Sequence, residues 1–242
     1  MNIISKIAFT LSKEGNANII DIGCNRGYAL EEIRNNFTQR VGLDISWKAL
    51  QLAKKKDIKA SFLLSRAEDL PFKTGSFDVV ICAETIEHAR DSDKVFFEIS
   101  RVLKKNGKVI ITFPVWYTEK IINFFDSNFM KFSGHIKTFS PLEIKNMFNK
   151  YNLRIIRKTT YYFEWALMYT IQAIFSNRFS NIDRRLDNYE LPSRGGWQVK
   201  AELLMKKVVS RLEGYFFGRV LMGIGNFIYP KTCIFLCERN KD

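Results

Sequence analysis

Over the first 115 positions, short apolar runs alternate with stretches of helical spacing. Ile19, Ile20 and Ile22 mark a first strand, Arg40–Asp44 a second and Ala60–Leu64 a third. Val79–Cys82 is a fourth, continuously apolar as strands covered on both faces are, and Lys108–Phe113 is a fifth. Between them, Leu30, Ile33 and Phe37 recur at helical spacing across Tyr28–Phe37. Ser46 is placed to cap a helix Trp47–Lys56, and Asp91–Leu103 reads as another helix. That last helix runs into Lys104-Lys105-Asn106-Gly107, where Gly107 fits a left-handed C-terminal cap. Residues 2–13 read as a short amphipathic helix. Strands alternating with helices predict an α/β, doubly wound, mostly parallel sheet.

Beyond Pro114 the pattern loosens. Trp116–His135 is aromatic and mixed, and reads as a helical lid. Ser140-Pro141-Leu142-Glu143 is a helix start with Pro at the first position and Glu three after the cap. Leu153–Tyr162 gives a sixth strand and Thr232–Glu238 a seventh. Roughly 65 residues separate them, far more than a hairpin needs. The expected organisation is therefore a domain of residues 1–162 with 230–242, and a helical insertion of residues 163–229.

Composition narrows the class. A chain of 242 residues, 46% of them hydrophobic, is globular and has ample core. Its four cysteines form no C-x-x-C pair, which points to reduced structural thiols in a cytoplasmic protein. No signal peptide precedes the first strand, and the longest apolar runs, Trp165–Ser176 and Tyr215–Tyr229, are shorter than the ~20 residues a spanning helix needs. The net charge of +13 is uneven. Residues 1–116 hold eighteen Lys and Arg against fourteen Asp and Glu, and residues 117–242 hold twenty against eleven, or +4 and +9. A basic second half suits nucleic acid, an anionic membrane or an acidic substrate, and equally a solubility device.

Candidate chemistry concentrates where the first strand ends. Asp21-Ile22-Gly23-Cys24-Asn25-Arg26-Gly27 is a strand end followed by a glycine turn, which lets a ligand approach the backbone closely. Asp44 ends the second strand, where its two oxygens suit the two hydroxyls of a ribose. A nucleoside-containing ligand follows. A nicotinamide dinucleotide is the alternative, but its fingerprint needs a middle glycine where this chain has Cys24-Asn25-Arg26.

In order along the chain stand Asp21-x-Gly23-Cys24-x-x-Gly27, Gly42-x-Asp44, Ala67-Glu68-Asp69-Leu70-Pro71-Phe72, Ser76-Phe77-Asp78, Glu84-x-x-Glu87-His88 and Leu103-x-x-x-Gly107. This series resembles the class I S-adenosylmethionine-dependent methyltransferases, in particular the group containing quinone-biosynthesis and other small-molecule enzymes. The resemblance covers residues 15–162 and the last strand. It implies a seven-stranded sheet with an antiparallel last strand. It also implies that Asp21, Gly23, Cys24 and Gly27 hold the methionine end of S-adenosylmethionine, with Asp44 and Ile45 at the ribose. Ala67 and Glu68 would meet adenine, and Cys82–Thr85 would line the pocket. Where many members carry Asp before the Ala-Glu pair, this chain has Arg66, which shifts the adenine contact to Glu68, Asp69 or backbone.

On the acceptor side, Glu84, Glu87 and His88 fall at spacings that share one face of a helical turn. Some branches of the family bind a divalent cation through such a cluster plus a later histidine, so Glu84, Glu87, His88 and His135 are candidate ligands for Mg2+. His88, His135 and Glu87 are also candidate catalytic groups for deprotonating a hydroxyl. The alternative is a structural or pocket-lining role for both histidines.

Specificity is expected in the lid and the insertion. Trp165, Met168, Tyr169, Ile174 and Phe175 form one apolar set, and Phe216, Phe217, Leu221, Ile224, Phe227 and Ile228 another, beside Arg211 and Arg219. Apolar faces with basic flanks suit a lipid-like acceptor or peripheral contact with an anionic membrane, and equally simple packing of helix on helix. The reading is thus O-methylation of a small-molecule or lipid-like acceptor. An RNA ribose methyltransferase and a non-catalytic subunit of the same fold are the alternatives. Base-amino methyltransfer is disfavoured, because Cys82-Ala83-Glu84-Thr85 stands where those enzymes carry Asn/Asp-Pro-Pro-aromatic.

Overall fold

The computed structural model describes residues 3–11, 17–33, 37–56, 58–127, 129–161, 166–167, 169–170, 222 and 224–240. Helix α1 spans Ile3–Leu11, β1 Asn18–Ile22, α2 Tyr28–Glu32, β2 Gln39–Asp44, α3 Trp47–Lys54, β3 Ser61–Leu64 and β4 Phe77–Ala83. A single 3-10 turn, Ile86–His88, follows. Then come α4 (Ser92–Val102), β5 (Leu103–Pro114), α5 (Trp116–Phe125), α6 (Phe129–Ser133), α7 (Pro141–Lys150), β6 (Leu153–Tyr161) and β7 (Thr232–Arg239).

The strands form one sheet in the order β3-β2-β1-β4-β5-β7-β6, parallel from β3 through β5. The last strand is antiparallel to its neighbours. Hydrogen bonds outside the ladder show the reversal: Asn240 N–H donates to Asn152 O and Lys231 N–H to Tyr161 O, so β7 runs back along β6. The strand order reverses between β1 and β4. In a doubly wound sheet that is where a crevice opens at the carboxyl ends. β1 and β4 are the most deeply buried strands, with Ile19, Ile20, Ile22, Val80, Ile81 and Cys82 all inaccessible to solvent.

Capping side chains set three helix starts. Ser46 Oγ accepts Ala49 N–H at 3.2 Å, and Asp91 Oδ1 accepts Lys94 N–H at 3.0 Å. Ser140 and Glu143 form the reciprocal capping box read from the sequence. α4 turns Val95, Phe96, Ile99 and Val102 inward. Phe96 meets Phe148 of α7 edge-on at 5.5 Å, and Phe148 meets Phe235 of β7 at 5.2 Å. Arg101 joins α4 to the Leu70-Pro71-Phe72 turn: its guanidinium donates to Phe72 O (2.6 Å), Leu70 O (2.8 Å) and Glu98 (2.7 Å). Glu98 in turn accepts Leu70 N–H at 2.7 Å.

Gly107 is not the helix cap. α4 stops at Val102, Leu103 is already extended, and Asn106, not Gly107, takes the left-handed backbone with φ 60°. Between Phe77 and Val79 of β4, the paired strand advances from Leu103 to Lys108, so residues 104–107 form a bulge. Gly107 is required there for space, since a Cβ would lie 2.8 Å from Leu103 Cγ and from Lys104 O. The helix expected over Tyr28–Phe37 is also shorter than read, although Leu30, Ile33 and Phe37 are all buried.

The chain divides into two compact units. One comprises Met1–Phe113, Ile136–Thr159 and Ile234–Asp242; the other comprises Pro114–His135 and Thr160–Cys233. These units divide at 159/160 and at 233/234, and the 114–135 segment belongs with the second. Within that unit, Ile122 and Phe129 are buried together with Tyr169 packed against them. Trp165, Met168, Ile174, Phe175, Phe216, Phe217, Leu221, Arg211 and Arg219 lie outside the described residues. Among the described residues, no helix is long and apolar enough to cross a membrane.

Phe148 is 1% exposed and links two helices to the sheet. Phe148→Ala should therefore cost about 3–5 kcal/mol in urea unfolding, as large-to-small changes in a packed core do. A loss under about 1 kcal/mol would show that this cluster is dispensable.

Candidate functional site

The loop after β1 is fastened to the end of β2. Gly23 N–H and Cys24 N–H both donate to Leu43 O, at 2.7 and 3.0 Å. Asn25 N–H donates to Asp44 Oδ2 and Ser46 N–H to Asp44 Oδ1, each at 2.8 Å. Asp44 thereby holds the glycine loop with one oxygen and the start of α3 with the other. A carboxylate oxygen has two lone-pair positions, so each retains capacity for a ligand hydroxyl. The β3 side is fastened too, through Ser65 N–H on Asp44 O at 3.1 Å.

The other wall is β4. Thr85 Oγ1 donates to Ala83 O (2.9 Å) and lies 3.2 Å from Ile22 O, which places the side chain directly above Gly23. A Cβ on Gly23 would fall 2.2 Å from that oxygen, and Gly23 has φ +75°. Both space and backbone therefore require glycine. Gly27 is left-handed as well, at φ +70°, and Gly42 has Cys24 Sγ and the Phe62 ring 2.8 Å from its virtual Cβ. Two non-glycine residues take positive φ at the same edge, Asn25 and Glu84, both at 48°. Glu84 is held there by Thr112, whose O and Oγ1 both lie 3.1 Å from Glu84 N–H. Such strain persists only where the surroundings over-determine it.

Buried acids line this crevice. Asp21 is 4% exposed, and its carboxyl is pushed up to about 7, first by burial and then by the charge of Asp44. Glu87 is 1% exposed. The Cys82 thiol is raised far above its ordinary range by burial, with Glu87 and Asp21 adding to it. Cys24 is raised likewise, chiefly by burial and further by Asp21 and Asp44. Both shifts disfavour the thiolate form. Asp21 thus resists ionisation where it stands, and a cationic ligand would favour its charged form.

The sequence-derived residues separate into groups. Asp21, Gly23, Cys24, Gly27, Asp44 and Ile45 sit together at the ends of β1 and β2, with Ile45 exposed. Ala67 and Glu68 lie in the loop after β3, but the Glu68 carboxylate turns inward to Arg66 (3.2 Å) and Arg90 N–H (3.1 Å). Burial works to raise the Glu68 pKa and is outweighed by its own backbone N–H, Arg66 and Arg90, so the net shift is downward. Cys82 lies inside β4 and is fully buried. Glu87 and His88 share the 3-10 turn, and Glu87 O accepts the N–H groups of Ile136 (2.8 Å) and Lys137 (3.3 Å). The Glu84 carboxylate is engaged by Thr112 Oγ1 at 3.1 Å. His135 belongs to the second unit, where its Nδ1 lies 2.7 Å from Glu119 Oε1.

Sequence reasoning missed Thr112, Glu119 and Arg90. Thr112 lies inside an apolar strand run, Glu119 inside an aromatic helix, and Arg90 acts through its backbone. None carries a spacing signal.

Comparison with known proteins gives a methyltransferase match over part of the chain. Residues 20–111 match the profile described as "Methyltransferase domain". An uncharacterised Methanocaldococcus jannaschii protein is 36% identical over 121 residues, 49% of this chain and 46% of that protein. The malonyl-[acyl-carrier protein] O-methyltransferase of Legionella pneumophila is 32% identical over 99 residues, 39% of this chain and 35% of the enzyme. The ubiquinone biosynthesis O-methyltransferase of Pelagibacter ubique is 35% identical over 100 residues, 40% and 41%. The chain spans less than half the length of these curated relatives. Among solved structures, the YcgJ protein of Bacillus subtilis has a TM-score of 0.61 at 18% identity, covering 98% of each chain. The geranyl diphosphate C-methyltransferase of Streptomyces coelicolor A3(2) has 0.64 at 13% identity, covering 98% of this chain and 78% of the other. The fold is that of Rossmann-like methyltransferases.

Two outcomes follow from the geometry. Gly23→Ala should lose at least about 2 kcal/mol of stability, since it combines left-handed strain with the Thr85 clash; an unchanged unfolding midpoint would contradict the geometry. For Asp21, a pKa raised from 3.8 to about 7 means that the folded state holds a proton the unfolded chain releases in this window. The stabilisation is complete below about 4 and is lost as pH rises through about 7. Thermal unfolding from pH 5 to pH 8 should thus show a decline in wild type that Asp21→Asn flattens; parallel slopes would rule it out.

Proposed function

We propose that the methyltransferase domain at residues 20–111, of the class I S-adenosylmethionine-dependent type, methylates a hydroxyl of a small-molecule or lipid-like acceptor. The observation that carries the proposal is the glycine loop held between Asp44 of β2 and Thr85 after β4, with buried Asp21 beneath it. S-adenosylmethionine, when bound, supplies a sulfonium methyl group open to in-line displacement. The residues present fit it. Asp44 offers two carboxylate oxygens to a ribose diol. The glycine backbone admits close approach, and the acids at the crevice favour the positive ammonium and sulfonium groups. With Glu68 turned to Arg66 and Arg90, adenine recognition falls to the backbone of the Ala67–Asp69 loop.

In-line displacement needs alignment more than covalent assistance, so holding donor and acceptor in register supplies most of the rate. A hydroxyl acceptor must also give up its proton. His88, His135 and Glu87 are the groups this proposal assigns to that step. No step of this proposal uses Mg2+; one oxygen of Glu84 accepts from Thr112 Oγ1. The ubiquinone biosynthesis O-methyltransferase among the relatives supports a hydroxyl acceptor, and the basic, apolar second half of the chain supports one with a lipid-like portion.

Calorimetric titration with S-adenosylhomocysteine tests the core of this reading. Wild type should bind, and Asp44→Ala should lose at least tenfold in affinity, because it removes both the diol contact and the anchor of Asn25. A folded wild type that fails to bind would refute the proposal. Undiminished binding by the variant would remove Asp44 from the site.

A further inference from the structure

Helix α5 presents its apolar side outward. Thr118, Glu119 and Ile122 are its buried residues. Thr118 Oγ1 donates to Pro230 O at 2.7 Å, and Glu119 pairs with His135, with Lys231 Nζ 3.9 Å away. The opposite side carries Ile121, Phe124 and Phe125 in solvent, with Phe124 83% exposed. Lys120 stands on the same side, its ammonium 4.8 Å from the centre of the Trp116 ring. Its inward side mixes Thr118 and Glu119 with Ile122 while two phenylalanines face solvent, a departure from the ordinary pattern of a soluble surface helix.

A second exposed apolar stretch belongs to the same unit. Residues 224–228 are helical, and Ile224, Phe227 and Ile228 are exposed, Phe227 at 84%. Tyr117 OH donates to Ile228 O at 3.4 Å, and with the Thr118 bond to Pro230 O this attaches the start of α5 to the end of that stretch. Six large apolar side chains on two connected segments are far more than scattered exposure requires.

We propose that the outward side of α5 and the 224–228 segment rest on an anionic lipid bilayer. Phenylalanine with lysine and tryptophan is the mixture that settles at the interface, with aromatic groups in the headgroup region and the lysine stem extended to the phosphates. The net charge of +13 favours an anionic surface and opposes a second copy of the same chain. Isoleucine beside phenylalanine suits acyl chains better than stacked bases. This inference is independent of the catalytic reading.

The test is vesicle flotation with the intact chain, using phosphatidylcholine vesicles with and without 30% phosphatidylserine. Wild type should float with the anionic vesicles, less at 0.5 M salt, and the Phe124→Ser/Phe227→Ser double variant should lose at least tenfold in partitioning. Both positions are more than four-fifths exposed, so the variant should fold, with unchanged circular dichroism and unchanged S-adenosylhomocysteine binding. Lys120→Glu gives an independent check, with an expected weakening on anionic vesicles only. No flotation of wild type, equal flotation on neutral vesicles, or undiminished flotation of the double variant would overturn the proposal. So would a concentration-dependent dimer, or RNA binding, that these substitutions abolish without any vesicle binding.

Discussion

Everything at the crevice depends on two adjacent backbone donors meeting one carbonyl. Gly23 and Cys24 both direct their N–H groups at Leu43 O, which draws the chain after β1 across the end of β2. Asn25 can then reach one oxygen of Asp44, while Ser46 takes the other. The same fold of the chain brings Gly23 under Thr85, where a side chain larger than hydrogen would meet that hydroxyl. One acid thus fixes two loops before any ligand arrives, and the site is preorganised by bonds the protein makes with itself.

The electrostatics follow from the same geometry. Fully parallel central strands end side by side, so acids at the ends of β1 and β2 approach one another in a buried place. Asp21 pays for that position with a carboxyl that gives up its proton only near neutrality. The protein therefore keeps a site whose charge is strained until a positive group enters it. This is the reverse of the surface acids Asp93 and Glu143. Each of those is held below the usual carboxylate range by its hydrogen-bond partners, Lys150 and Tyr151 for one and Ser140 for the other.

Much of this was legible in the sequence because the signals were local. Ile19–Ile22 reads as a buried strand, Ser46 as a cap and Ser140–Glu143 as a capping box, and each needs only its neighbours to act. Gly107 was misread for a physical reason: a glycine after a helix is ambiguous between a left-handed cap and a close approach, and only the partner strand decides. At Glu68 the sequence places the acid but not its partners: one of its oxygens meets Arg66 and the Arg90 N–H, which no spacing announces. The outward face of α5 was hidden because its residues suit a buried helix equally well. Which side is covered depends on Pro230, more than a hundred positions away.

The junction between β6 and β7 has a further meaning. Lys231 N–H on Tyr161 O closes a loop that opens at the end of β6 and returns at the start of β7. Lengthening a closed loop is cheap, about 0.6 kcal/mol for each doubling. The sheet thus tolerates segments of different length and chemistry at this closing bond, with β5 standing between β7 and the β1–β4 crevice.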